Sequence, residues 1–184
     1  MRPQFFITAL ATCVLTLPTL AADMTATPYA GQQTRTIKAL SDEDVTALRR
    51  GEGMGTAKAA ELNGYPGPAH VLALAGQISL TDDQSRQVQL AFDRMNAAAR
   101  PLGDEVIAHE QTLDRLFAEG RADRDGVMAE TASIGELQGR LRSVHLAAHL
   151  EMRTLLTSDQ VANYLRLRGY GNGAEPSHQH HQPS

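Results

Sequence analysis

His145 and His149 stand four residues apart in a segment of helical pattern, so their rings project from one side of a helix. Two imidazoles at that spacing are suited to two ligand positions on zinc, copper or nickel. The third ligand is the difficulty. If the chain turns back near residue 121, His145 lies opposite about residue 97 and His109 opposite about residue 133. They are then roughly 18 Å apart at helical rise, too far to share a metal within one chain. His70 or a second copy of the chain could complete the set. Without a third ligand, His145 and His149 are half-exposed side chains flanking an apolar stripe. His109 falls within such a stripe and is expected to be packed, with one hydrogen bond. His178, His180 and His181 form a short His-rich tract of the kind that captures soft or borderline metals, or else a solvated polar tail.

The motifs of enzymes are missing. His109-Glu110 lacks the second His of a metallohydrolase H-E-x-x-H, and His149 is followed by Leu150. No Ser sits in a G-x-S-x-G turn, and no C-x-x-C-H could attach haem. The run Gly51-Glu52-Gly53-Met54-Gly55 has no strand before it and no Gly-Lys-Ser/Thr after it, so it reads as a hinge rather than a phosphate loop. Neither catalysis nor a required cofactor is expected.

The elements that must position these residues are helices. The chain is 42% apolar but only 4% aromatic, without Trp, and helix formers dominate, so an all-α fold is expected. Val88, Phe92, Met95, Ala99, Leu102, Val106, His109, Leu113 and Leu116 follow one another at alternating steps of four and three. That spacing predicts one long helix from Thr81 to about Glu119 with a coiled-coil-like seam, bent at Pro101. Ile134, Leu137, Leu141, Val144, Ala148, Met152 and Leu155 predict a second, from Asp123 to about Leu155. Gly120-Arg121-Ala122 joins them tightly, so they fold back as a curved antiparallel hairpin. Leu146 and Leu150 lie on a further face of the second helix. Either the short helices cover that face, or it is a homodimer or client surface.

Short helices flank the hairpin. Residues 37–79 read as three of them: one capped by Ser41 and ending near Arg50, one over about Thr56–Leu62, and one over about Ala69–Gln77. A last helix runs from Ser158 to Arg168. Residues 23–36 read as a flexible arm, and the Gly-, Pro-, Ser- and His-rich residues 170–184 as a disordered tail.

Leu80-Thr81-Asp82-Asp83-Gln84 and Leu156-Thr157-Ser158-Asp159-Gln160 repeat one pattern, L-T-x-x-Q. In each, the Thr hydroxyl accepts from the amide of Gln, and the Gln side chain reaches back to the Thr amide, forming a capping box. Leu156 and Val161 can add a hydrophobic staple, whereas Ser85 denies one to the first copy.

The formal charge is −4, from 17 basic and 21 acidic residues, which disfavours a nucleic-acid partner. Residues 1–22 read as an export signal: Arg2, an apolar run from Phe5 to Leu17, and small residues at Ala21-Ala22. The run is short for a membrane anchor, which is the alternative. Cleavage would remove Arg2 and the single Cys13, leaving a cysteine-free, more acidic chain for the periplasm.

Two L-T-x-x-Q boxes opening helices beside a long hairpin in an exported chain resemble the Spy/CpxP family of periplasmic stress proteins. Related zinc-responsive accessory proteins and periplasmic heavy-metal sensors look similar. The resemblance covers about Leu80–Gly169, and the segment from Tyr29 to Ala75, with its stretch Met54 to Pro68, looks like an extension in a branch labelled heavy-metal sensor or refolding chaperone. It implies a cradle-shaped homodimer without a catalytic centre. Such a protein would bind unfolded proteins, an envelope sensor protein or metal. The family's client face is basic and apolar; here the mature chain is acidic, but Arg86, Arg94, Arg100, Arg140, Arg142 and Arg153 lie on the hairpin.

Overall fold

The computed structural model describes residues 27–170, so the expected export signal and His-containing tail lie outside the described residues. The described residues fall into two units that divide between Gln33 and Thr34. In the first, a succession of turns leaves Tyr29 exposed, and a 3-10 helix at Gln32–Thr34 spans the division.

The second unit is all-α: α1 (Asp42–Arg50), α2 (Lys58–Glu61), α3 (Pro68–Ala73), α4 (Asp82–Ala118), α5 (Arg124–Leu155) and α6 (Ser158–Leu167). Helices α4 and α5 pack along each other as the expected hairpin, with α1 and α3 on α4 and α2 and α3 on α5. Gly120 takes φ +64° in the connection, a left-handed conformation that glycine adopts without strain. Arg94 Nη2 donates to Glu151 Oε1 at 2.5 Å, and His109 Nδ1 meets Glu130 Oε2 at 2.7 Å. These pairs fix the antiparallel register expected of a turn near residue 121, and give His109 its hydrogen bond. The third short helix is shorter than the spacing suggests. Pro68 occupies its first turn, where a missing amide is harmless, and turns replace helix from Leu74 onward.

Apolar burial is split into two clusters. Ile37, Leu48, Ala99, Leu102, Val106, Ile107, Leu137 and Leu141 form one, where α1 crosses the hairpin. Val71, Ile78, Val88, Ala91, Met152, Leu156, Val161 and Tyr164 form the other, where α3 and α6 close its open end. Each fully buried side chain of this size stabilises the fold by about 1.5–3 kcal/mol. Leu156 and Val161 both lie in the second cluster, as a staple requires. The further face of α5 is covered in part: Leu146 is half-buried while Leu150 is 59% exposed, and Leu90 on α4 is 57% exposed. Among the described residues, no helix is long and apolar enough to cross a membrane.

Both capping boxes form as expected at Thr81–Gln84 and Thr157–Gln160. What single-copy reasoning does not reach is that the two boxes clasp each other. Gln84 Nε2 donates to Gln160 Oε1 and Gln160 Nε2 donates to Gln84 Oε1, both at 2.8 Å. Each amide then uses its second proton symmetrically: Gln84 on the Leu155 carbonyl at 3.0 Å, Gln160 on the Ser79 carbonyl at 3.2 Å. The repeat is thus a pseudo-two-fold joint between the starts of α4 and α6. Removing either Gln takes one donor and one acceptor contact from its partner's amide, so Gln84→Ala and Gln160→Ala are each expected to lose about 1–3 kcal/mol. The double variant should lose less than the sum, with a coupling of about 0.5–3 kcal/mol in a urea-unfolding double-mutant cycle. Strict additivity would contradict the clasp.

Candidate functional site

Between the two apolar clusters, α5 carries His145 and His149, and both are buried, at 4% and 8% exposure. The expected half-exposed pair is corrected here. The segment from Gly53 to His70 lies over the rings, and it does so with glycine. A Cβ on Gly53 would stand 3.3 Å from His145 Nδ1, and one on Gly67 would stand 3.0 Å from His149 Nε2. The second is tighter than most Cβ contacts, so a side chain at Gly67 would fit only if the His149 ring shifted by a few tenths of an ångström.

The hub of this site is Glu61, at the end of α2, a residue with nothing in its sequence neighbourhood to single it out. Its carboxylate is buried and fully engaged. Oε2 accepts from the Gly67 amide at 3.1 Å, and Oε1 accepts from the Tyr164 hydroxyl at 2.5 Å. Arg168 Nε lies 3.5 Å from Oε1, His70 Nδ1 3.6 Å from Oε1, and His149 Nδ1 3.8 Å from Oε2. Burial, and then the neighbouring Glu61, push the Tyr164 hydroxyl pKa far up, so this phenol stays a proton donor. The network ties the end of α2, the 64–70 loop, α5 and α6 together.

His149 Nδ1 donates to the Tyr65 carbonyl at 2.7 Å, and Nε2 lies against Gly67. His145 Nε2 is buried with no hydrogen-bond partner. Burial, and then the nearby His149, hold the His145 pKa below its ordinary value; burial and then Arg168 do the same for His70. Both groups therefore bind fewer protons folded than unfolded as pH falls below about 6.5. Their stabilisation is complete above that pH and is lost as pH drops toward the folded values. Thermal unfolding should show a lower Tm at pH 5.5 than at pH 7.5, and His145→Gln should flatten the dependence. A Tm that rises on acidification would contradict this.

His70, His145, His149, Glu61, Lys58 and Arg168 line one pocket of about 360 Å³, with Met54 and Tyr170 among its other walls. His70 therefore does join His145 and His149, whereas His109 does not. Among the described residues, no group of three or more His, Cys, Asp or Glu side chains is placed to hold a metal ion. His178, His180 and His181 lie outside the described residues.

The pocket has an apolar neighbour. Gly53 and Met54 also belong to a second pocket of about 470 Å³, walled by Leu40, Leu48, Val106 and Leu141 and floored by Gly135 and Gly139 of α5. A Cβ on either of those two glycines would meet open space. Gly139 belongs in turn to a groove on the other side of α5, with Pro101, Leu102 and Val144. The two pockets follow one another along α5, polar at the Arg168 end and apolar at the Gly139 end, and the groove lies alongside the second. Sequence reasoning missed Lys58, Glu61, Tyr164 and Arg168, because their neighbours lie on elements far apart in the chain.

Compared with protein-family models, curated proteins and solved structures, the chain matches none.

Proposed function

We propose that this chain is an exported, ATP-independent polypeptide-binding protein of the Spy/CpxP kind, acting in the periplasm on unfolded proteins or on an envelope sensor protein. The observation that carries the reading is the apolar pocket beside Met54, whose floor on α5 is two exposed glycines. Glycine inside an exposed helix is destabilising by about 1 kcal/mol, and here its missing side chain leaves room for another chain. Arg140 and Arg142 flank Gly139 and supply charge beside the apolar walls. The uncovered Leu90 and Leu150 offer the apolar surface that a homodimer needs.

The test is suppression of aggregation of an unfolded client at equimolar ratio, without nucleotide. The paired substitution Gly135→Gln/Gly139→Gln should fold with equal or higher stability, gaining about 0.5–1 kcal/mol at each site. It should suppress aggregation several-fold less well. A purified wild-type chain that fails to suppress aggregation would end this reading.

A second reading, a buffer or sensor of zinc, copper or nickel, is favoured by one observation: His70 shares a pocket with His145 and His149. Calorimetry on the mature chain, on a form ending at Gly171, and on His145→Ala/His149→Ala tests it. No binding tighter than millimolar would end that reading.

A further inference from the structure

We infer that the Lys58–His70–Arg168 pocket binds a carboxylate of the polypeptide whose apolar side chains fill the adjoining Met54 pocket. This rests on the polypeptide-binding reading and deepens it by naming the chemistry of the preferred partner: an apolar segment bearing or ending in an acid. Three features of the pocket point there.

The first is its charge. Glu61 is the carboxylate in its wall, and both its oxygens are occupied, by Gly67 and Tyr164, with Arg168 alongside. Its charge is thereby offset within the wall. Lys58 then remains as a cation with no ion-pair partner within 4.0 Å among the described residues, and its side chain is exposed. A carboxylate entering the pocket meets a net positive wall.

The second is the supply of hydrogen-bond groups. His70 is half-exposed on the pocket wall, with its side chain 49% accessible. His145 is buried on the same wall and its Nε2 has no partner, a deficit that a nearby acceptor can relieve when that nitrogen carries the proton. Arg168 presents its guanidinium beside Tyr170, to whose hydroxyl Nη2 donates at 3.3 Å. An Arg with part of its fork free is suited to carboxylate recognition.

The third is continuity. Gly53 and Met54 wall both pockets, so a segment can place an apolar side chain over Gly139 and an acid beside Lys58 without leaving the surface.

Labelled peptides of one apolar sequence distinguish the sources of the carboxylate: one with a free C-terminus, one amidated, and one amidated with an internal Asp. Fluorescence anisotropy at pH 7.5 should give the free acid, the Asp peptide or both about tenfold tighter binding than the neutral amide. A preference for the free end alone identifies chain termini, and one for Asp identifies acidic side chains. Lys58→Ala should erase the preference while leaving the neutral amide's affinity and the circular dichroism unchanged, since Lys58 is exposed. Equal binding of all three peptides would overturn the carboxylate inference and leave polypeptide binding standing. No binding of any would overturn both.

Discussion

Replacing Glu61 by alanine is expected to destabilise the protein by about 3–5 kcal/mol, the range for removing one partner of a buried, hydrogen-bonded ion pair. The truncation strands three groups at once. The Tyr164 hydroxyl, on a residue with no exposed surface, loses its acceptor; the Gly67 amide loses another; and Arg168 Nε, which has no hydrogen bond, loses its counter-charge. Arg168 is about one-third exposed, so water compensates it in part and holds the effect toward the lower end of the range. Glu61→Gln keeps an acceptor for Tyr164 or Gly67 but loses the charge, and should fall between wild type and Glu61→Ala. Urea unfolding monitored by circular dichroism checks both. A loss under about 1 kcal/mol for Glu61→Ala would mean that the network is incidental.

Gly103→Ala should be destabilising by about 1–3 kcal/mol, although glycine to alanine in a helix normally stabilises by about 1 kcal/mol. Gly103 lies in the middle of α4 where α1 crosses it, and a Cβ there would stand 2.3 Å from the Leu48 carbonyl oxygen. That neighbour is backbone and cannot swing aside. Helix α1 must lift, loosening Leu48 and Ile37 from the cluster they share with Ala99 and Val106. Limited proteolysis should then cut within residues 34–56 before the hairpin. The same change at Gly135 or Gly139, where nothing approaches within 4 Å, should raise stability instead. Equal effects at all three positions would contradict the packing described.

The legible part of the fold is the part written locally. The alternating spacing from Val88 to Leu116 and its counterpart from Ile134 to Leu155 specify the two long helices. Ser41, Thr81, Asp123 and Thr157 cap the helices they were expected to open, each side chain accepting from a backbone amide three residues on. The His145–His149 pair was visible for the same reason, since residues four apart share a helix face. Its burial was not, because the covering segment around Gly67 has no periodicity of its own. Glu61 and Tyr164 are separated by 103 positions and Gln84 and Gln160 by 76, distances over which no spacing rule operates. Gly103 falls between seam positions Leu102 and Val106, and only the α1 crossing makes it obligatory.

Entry of polypeptide into the pocket beside Met54 is read directly by methionine-methyl NMR. Of the 6 methionines in the chain, Met54 walls both pockets, Met152 is wholly buried, and Met128 is exposed near the hairpin turn. Titration with an apolar acidic peptide should move the Met54 methyl signal progressively to saturation, with Met152 and Met128 unmoved. A Met54 signal that stays fixed while Met128 shifts, or while the peptide is demonstrably bound, would place binding elsewhere and contradict the account.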